Sequence, residues 1–283
     1  MKKIFFLIIT LVLFSCQKKE RNFFDYVSIN DIPLENPKPG EWRFNRNEKK
    51  QSYEDYSKSK KIIVSENQHL IYLQPYGDFD SLQQKSLKLT QEYLHHFFQL
   101  EVRLLKSKDD NIVPKSARRT LENNEQLLAG YFLDPILKNE KNENQIVCMA
   151  ITEKDLYPKP EWNYVFGLAS YQDGIGVTSI HRLQNIDNFN GGLLRILKIS
   201  SHEIGHMFGL AHCQHANCVM NGTNSLYETD HHSSRLCSDC QRKLQSSLKY
   251  DNQKRLSDLK VFFTRNSFQI EANQLEKDAK LFE

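Results

Sequence analysis

Three histidines and one glutamate in this chain are spaced so that they could share a metal ion. His202-Glu203-Ile204-Gly205-His206-Met207-Phe208-Gly209-Leu210-Ala211-His212 reads H-E-x-x-H-x-x-G-x-x-H. Residues four apart on a helix project from one face. His202 and His206 would therefore present two imidazoles to a single zinc ion. Glu203 falls one position round the helix, where it can reach a metal-bound water without ligating. Gly209 would end the helix, because glycine enters left-handed backbone space without a steric penalty. The turn would return His212 as a third ligand. Three protein ligands leave a fourth zinc position open for water, which is a catalytic arrangement. Ordinary core packing explains the stretch poorly, since core helices rarely carry three histidines and a glutamate at ligand spacing.

Six cysteines are present, and four follow the histidines closely: Cys213, Cys218, and the C-x-x-C pair Cys237 and Cys240. Four thiolates at this spacing read as a closed structural zinc site. Two disulfides are the alternative in an exported chain. A C-x-x-C disulfide is strained and redox-active, and no thioredoxin-like strand and helix surround this one, so zinc is the preferred reading. Cys148, inside the apolar run Ile146-Val147-Cys148-Met149-Ala150, reads as a buried free thiol.

The elements that must position these residues follow from periodicity. Strand character runs over 62–74, 102–105, 146–152, 163–170 and 176–183. Helical spacing covers 81–100, 120–137, 191–208 and much of 237–263. The interleaving predicts an α/β domain with a mixed sheet. The chain has 283 residues, a net charge of +3, 39% hydrophobic residues and 11% aromatic residues. That supports one sizeable domain plus an appendage. So mild a charge gives no sign of nucleic-acid binding.

The N-terminus reads as a targeting segment. Lys2 and Lys3 precede an apolar run over 4–14, too short for the ~20 residues of a membrane-spanning helix. Leu13-Phe14-Ser15-Cys16 resembles a bacterial lipobox, which implies a signal peptide over 1–15 and an acylated Cys16. The expected product is an exported lipoprotein, anchored in the cell envelope by its N-terminal lipid. Residues 16–61 are polar, lysine-rich and broken by Pro33, Pro37, Pro39 and Gly40. They read as a tether that docks, if anywhere, around Trp42 and Phe44. The domain proper is expected over 62–283.

Taken together, His202 to His212, Cys213, Cys218, Met220, Cys237 and Cys240 resemble the archaemetzincins, a metzincin-clan metallopeptidase family with a second, four-cysteine zinc site. The strand-like segments around 71–77, 155–158, 165–169 and 176–183 extend the resemblance to about 62–262. It implies a metzincin-like single domain with a mixed twisted sheet, a long active-site helix, and C-terminal helices around the cysteine site. It implies two zinc ions per chain, held by His202, His206 and His212 and by the four cysteines, and places Met220 as the Met-turn methionine beneath the catalytic metal. It implies peptide or protein substrates, with Glu203 as the base that activates the zinc-bound water, and by analogy a substrate strand laid beside 174–179. A non-catalytic, zinc-dependent peptide-binding module is the alternative, and retention of Glu203 speaks against it. Tyr227, beyond the Met-turn, is a weaker candidate for a transition-state role. His215 could replace a cysteine ligand, and His231 and His232 read as a solvated pair.

Overall fold

The apolar runs around 70–76 and 145–152 lack in–out alternation, the mark of strands covered on both faces. The computed structural model describes residues 22–140, 142–185 and 187–282. Its strands are β1 (Leu70–Tyr76), β2 (Val102–Leu104), β3 (Arg118–Leu121), β4 (Asn124–Leu128), β5 (Gln145–Thr152), β6 (Asp155–Tyr157), β7 (Gly167–Ala169) and β8 (Ile175–Ser179). The helices are α1 (Phe23–Val27), α2 (Trp42–Asn45), α3 (Tyr53–Lys58), α4 (Ser81–Phe98), α5 (Ala129–Tyr131), α6 (Phe189–Met207), α7 (Leu226–His231), α8 (Ser238–Leu248), α9 (Asn252–Arg265) and α10 (Gln269–Ala279).

The main sheet has the order β2-β1-β5-β8-β7, parallel except for β7, which runs antiparallel to β8. One face of β1 and β5, with Ile71, Leu73, Val147, Met149 and Ile151, joins a core with α4, α6, α9 and α10. The other face, with Tyr72, Cys148, Ala150 and Val177, is covered by Phe132, Ile136 and Leu137 of a π-helical turn after α5. Cys148 is the buried thiol expected, and burial pushes it up to about 12. The active-site helix α6 starts where the Asn188 side chain accepts from the Gly191 amide at 2.9 Å, an N-cap. It then runs along β7 and β8, so that its C-terminal end arrives under the edge of the sheet.

Several expectations change. Residues 120–137 are not one helix. Glu122 and Asn123 both take positive φ, 50° and 64°, and this left-handed pair closes a β3–β4 hairpin. The hairpin and β6 form a second, three-stranded sheet. The first strand begins at Leu70 rather than 62. The segment 174–179 cannot receive a substrate strand, because β8 is already paired on both sides; β7 is the edge.

Residues 22–61 also differ from a free tether. Val27 and Tyr56 are fully buried. Phe23 stacks on Phe282 with centroids 4.6 Å apart, and the Tyr56 hydroxyl donates to the Phe208 carbonyl at 3.0 Å. Asp31 and Asp278 both pair with the buried Arg235, at 2.8 and 2.5 Å. A polar composition argues against a core of the segment's own, but a few apolar anchors and paired charges suffice to fasten it to a core that already exists. The signal segment and Cys16 lie outside the described residues.

Candidate metal centre

The last two turns of α6 carry His202, Glu203 and His206, all buried. The helix stops at Met207, and Gly209 follows with φ +87°, the left-handed stop the motif required. This turn aims the Leu210 carbonyl at His206, whose Nδ1 donates to it at 2.6 Å. His202 Nδ1 donates to the Val219 carbonyl at 2.8 Å. His212 Nδ1 donates to the Glu48 carboxylate at 2.9 and 3.0 Å. Each partner is an acceptor, so each Nδ1 carries the ring proton and each Nε2 keeps its lone pair.

The three rings offer ligand atoms within 4.8 Å of one another. His202 Nε2 and His206 Nε2 stand 2.9 Å apart. Burial, reinforced by neighbouring histidines, lowers His202 to about 3 and places His206 well below its ordinary value. Buried neutral imidazoles with facing lone pairs call for a cation between them, and a nitrogen-only, three-ligand set suits catalytic zinc. Glu203 is not among the converging donors. Burial alone raises it to about 8, and it lines the cleft of about 660 Å³ that the histidines also line.

Two glycines make room for this geometry. A Cβ at Gly205 would stand 2.6 Å from Met220 Sδ, so the thioether of Met220 sits directly against the helix backbone between the two ligands. A Cβ at Gly167 would stand 2.7 Å from Glu203 Cγ and Oε1, so the edge strand β7 passes directly over the glutamate.

The four cysteines are free, buried and gathered. Cys213 Sγ and Cys237 Sγ lie 3.6 Å apart. The His215, Met220 and Cys237 amides point at Cys213 or Cys218 sulfur, at 3.4, 3.5 and 3.3 Å. Cys237 and Cys240 open α8, where the positive end of the helix favours thiolate. Hydrogen bonds from Cys218, Cys237 and Cys240 hold the Cys213 sulfur far down, while burial pushes Cys218 well up. Four thiolates cannot ionise together there without a cation, so the donor set fits structural zinc. Asn221 staples the loop, donating to the Cys213 and Ala216 carbonyls at 2.8 and 3.1 Å and accepting from the Cys218 amide at 2.7 Å.

Other candidates fall away from both centres. His215 pairs with Asp31 at 3.3 Å through its ring. Tyr227 is 58% exposed and stacks on His231, away from the cleft. His232 is partly buried behind His202 rather than solvated. Instead the cleft gains Trp42, Trp162 and Tyr171, none of them singled out by spacing. Tyr171 lies 5.0 Å from the His206 ring.

A helix ending in this histidine turn, over a methionine and beneath a sheet edge, defines a metzincin-type zinc metallopeptidase. Comparison with known proteins narrows the class. Residues 118–246 match Peptidase family M54. The chain is 33% identical to Archaemetzincin-2 of Pongo abelii, over 79% of this chain and 72% of that protein. The crystal structure of Archaemetzincin from Methanopyrus kandleri matches with a TM-score of 0.55 at 31% identity, covering 65% of this chain and 97% of that one. The Archaeoglobus fulgidus Archaemetzincin, solved in complex with malonate, matches with a TM-score of 0.50 at 29% identity, covering 62% and 99%. The chain belongs to the archaemetzincin family.

The cysteine site should carry the fold and the histidine site should not. Cys240→Ala is expected to cost at least roughly 3 kcal/mol, about 6–12 °C in melting temperature. His206→Ala should cost clearly less. Equal melting temperatures for the two zinc-treated variants would refute the division of roles.

Proposed function

We propose that this archaemetzincin hydrolyses peptide bonds at a zinc ion held by His202, His206 and His212, with Glu203 as proton carrier, while a second zinc held by Cys213, Cys218, Cys237 and Cys240 is structural. The placement of Glu203 carries the reading: it is buried, non-ligating, beside two converging imidazoles and on the cleft wall. Zinc, when bound, supplies a Lewis acid that polarises the scissile carbonyl and lowers the pKa of water from 15.7 to about 7. Glu203 accepts a proton as the water oxygen bonds to the carbonyl carbon. It then delivers that proton to the amine as the carbon–nitrogen bond breaks.

The substrate backbone is best accommodated along β7. Phe166 and Ser170 bond inward to β8, at 2.8 and 2.9 Å. By the alternation of an antiparallel ladder, Gly167 and Ala169 then turn their N–H and C=O groups outward to the cleft. An extended peptide can add to this edge as a further strand, which brings its carbonyl over Glu203.

We also propose that Cys16 is acylated and holds the enzyme at a membrane of the cell envelope. The basic, apolar and Leu13-Phe14-Ser15-Cys16 segments support this. Among the described residues no helix is long and apolar enough to cross a membrane.

Three measurements test these readings. Peptide-library cleavage read by mass spectrometry should fall about 10²–10⁴-fold in Glu203→Gln with zinc content unchanged; turnover near wild type would remove Glu203 from its role. Gly167→Ala should lower kcat/KM about tenfold or more, because its Cβ displaces the Glu203 carboxylate; full activity would show that turnover does not depend on the carboxylate lying beneath β7. Metabolic labelling with a fatty acid should mark the wild type and not Cys16→Ser, and an unlabelled wild type would end the lipoprotein reading.

A further inference from the structure

Two of the three histidines are oriented by the peptidase fold itself. His202 and His206 donate to carbonyls at Val219 and Leu210. His212 has no such carbonyl. Its Nδ1 partner is Glu48, which lies 164 residues upstream.

We propose that Glu48 is a positioning residue of the catalytic centre, and that the N-terminal segment around it is a working part of the site rather than a spacer. The proposal rests on reading the three histidines as a metal site. Glu48 is itself held in place. The Trp42 indole N–H donates to its carboxylate at 3.0 Å. Trp42 packs edge-on against His212, with centroids 4.9 Å apart, and lies flush on Gly222, where a Cβ would stand 2.4 Å from the indole. The Trp42 backbone amide donates to Glu228 at 2.8 Å. Gln51 clamps the turn before the third ligand from both sides. Its amide donates to the Gly209 carbonyl at 3.0 Å, and its oxygen accepts from the Ala211 amide at 3.2 Å. Arg46 lies between the Trp42 and Trp162 rings, at 5.3 and 5.1 Å from their centroids, and so ties the segment to the opposite wall of the cleft.

The chemistry follows from this contact. A carboxylate on Nδ1–H fixes the His212 tautomer and ring angle, leaves Nε2 as the ligand atom, and raises its basicity. A segment that merely covered apolar surface would be satisfied by Tyr56 and Trp42. It would have no reason to set a half-buried carboxylate against the back of a ligand.

The test uses the full-length chain loaded with cobalt(II), as wild type, Glu48→Ala and Glu48→Gln. Chelator competition gives the affinity of the histidine site through its visible d–d bands. The thiolate-to-cobalt band of the cysteine site reports separately that the fold is intact. Glu48→Ala should weaken the histidine site by about 10–100-fold and shift its d–d bands, with the thiolate band unchanged. Glu48→Gln keeps an acceptor for Nδ1–H without the charge, so its affinity should fall between the two. Wild-type affinity in either variant would overturn the proposal. If Glu48→Ala loses the thiolate band as well, Glu48→Gln decides by the same criterion. A wild type that binds no cobalt at the histidines would overturn the metal-site reading and this proposal together, whereas unchanged variants of a metal-binding wild type overturn only the latter.

Discussion

Three imidazole lone pairs must face one point in a buried space, and this can happen only if every ring has somewhere else to put its proton. The acceptors behind the rings are therefore as necessary as the rings. Leu210 supplies one because Gly209 turns the chain back with φ +87°. Val219 supplies another because the loop carrying it is stapled by Asn221 and anchored on Arg235, whose carbonyl accepts from the Val219 amide at 2.9 Å. Glu48 supplies the third from outside the helix and loop altogether. Without these partners the rings would be free to choose either tautomer, and a buried lone pair without a cation or donor is costly.

The second centre then has a specific purpose. Cys213 follows His212 directly, and Cys218 precedes Val219 by one residue. Drawing these two sulfurs together with Cys237 and Cys240 fixes both ends of the loop that carries the third ligand and the acceptor for the first. The Cys213 amide donates to the Met220 carbonyl at 2.7 Å, which closes the same loop on the methionine lying against Gly205. A loop of polar backbone with few apolar side chains could not hold this shape by packing alone. Closed metal sites contribute about 10–16 kcal/mol in small peptides, enough to offset the ordering of some ten residues at ~1–2 kcal/mol each. Placing Cys237 and Cys240 on the first turn of α8 uses the helix end to favour their thiolate forms.

The parts legible in the sequence are those whose geometry repeats locally. Helical spacing puts His202 and His206 on one face, glycine marks the stop, and the apolar run at 146–152 becomes a central strand with only one residue of difference. Helices α4 and α6 fall within two residues of their expected bounds at both ends. The unread parts depend on contacts between distant segments. The β3–β4 hairpin was hidden because Leu121, Leu127 and Leu128 also fit a helical step; the Glu122-Asn123 turn decides, and side chains that tolerate positive φ do not announce it. The edge of the sheet was misplaced because strand order is a property of the whole sheet. Glu48 and Tyr171 carry no motif at all, and Trp42 was legible only as a point where the segment docks. They belong to the site only because the chain returns to it.

The docked segment also changes how anchoring and catalysis relate. If Cys16 carries a lipid, only five residues lie between it and Asn22, the first described residue, a reach of at most about 20 Å over six residue steps. A pull on the N-terminal end of the docked segment would enter through α1. There Arg235 meets Asp31 and Asp278 with both sides almost wholly buried, and the Val27 carbonyl accepts from the same guanidinium at 3.1 Å. Breaking one partner out of such a buried group costs about 3–5 kcal/mol. The cluster lies between Asn22 and Glu48 along the chain, so it fastens the segment to the domain ahead of the residue that faces His212. A loose tether would need no such fastening; a segment that is part of the active site does.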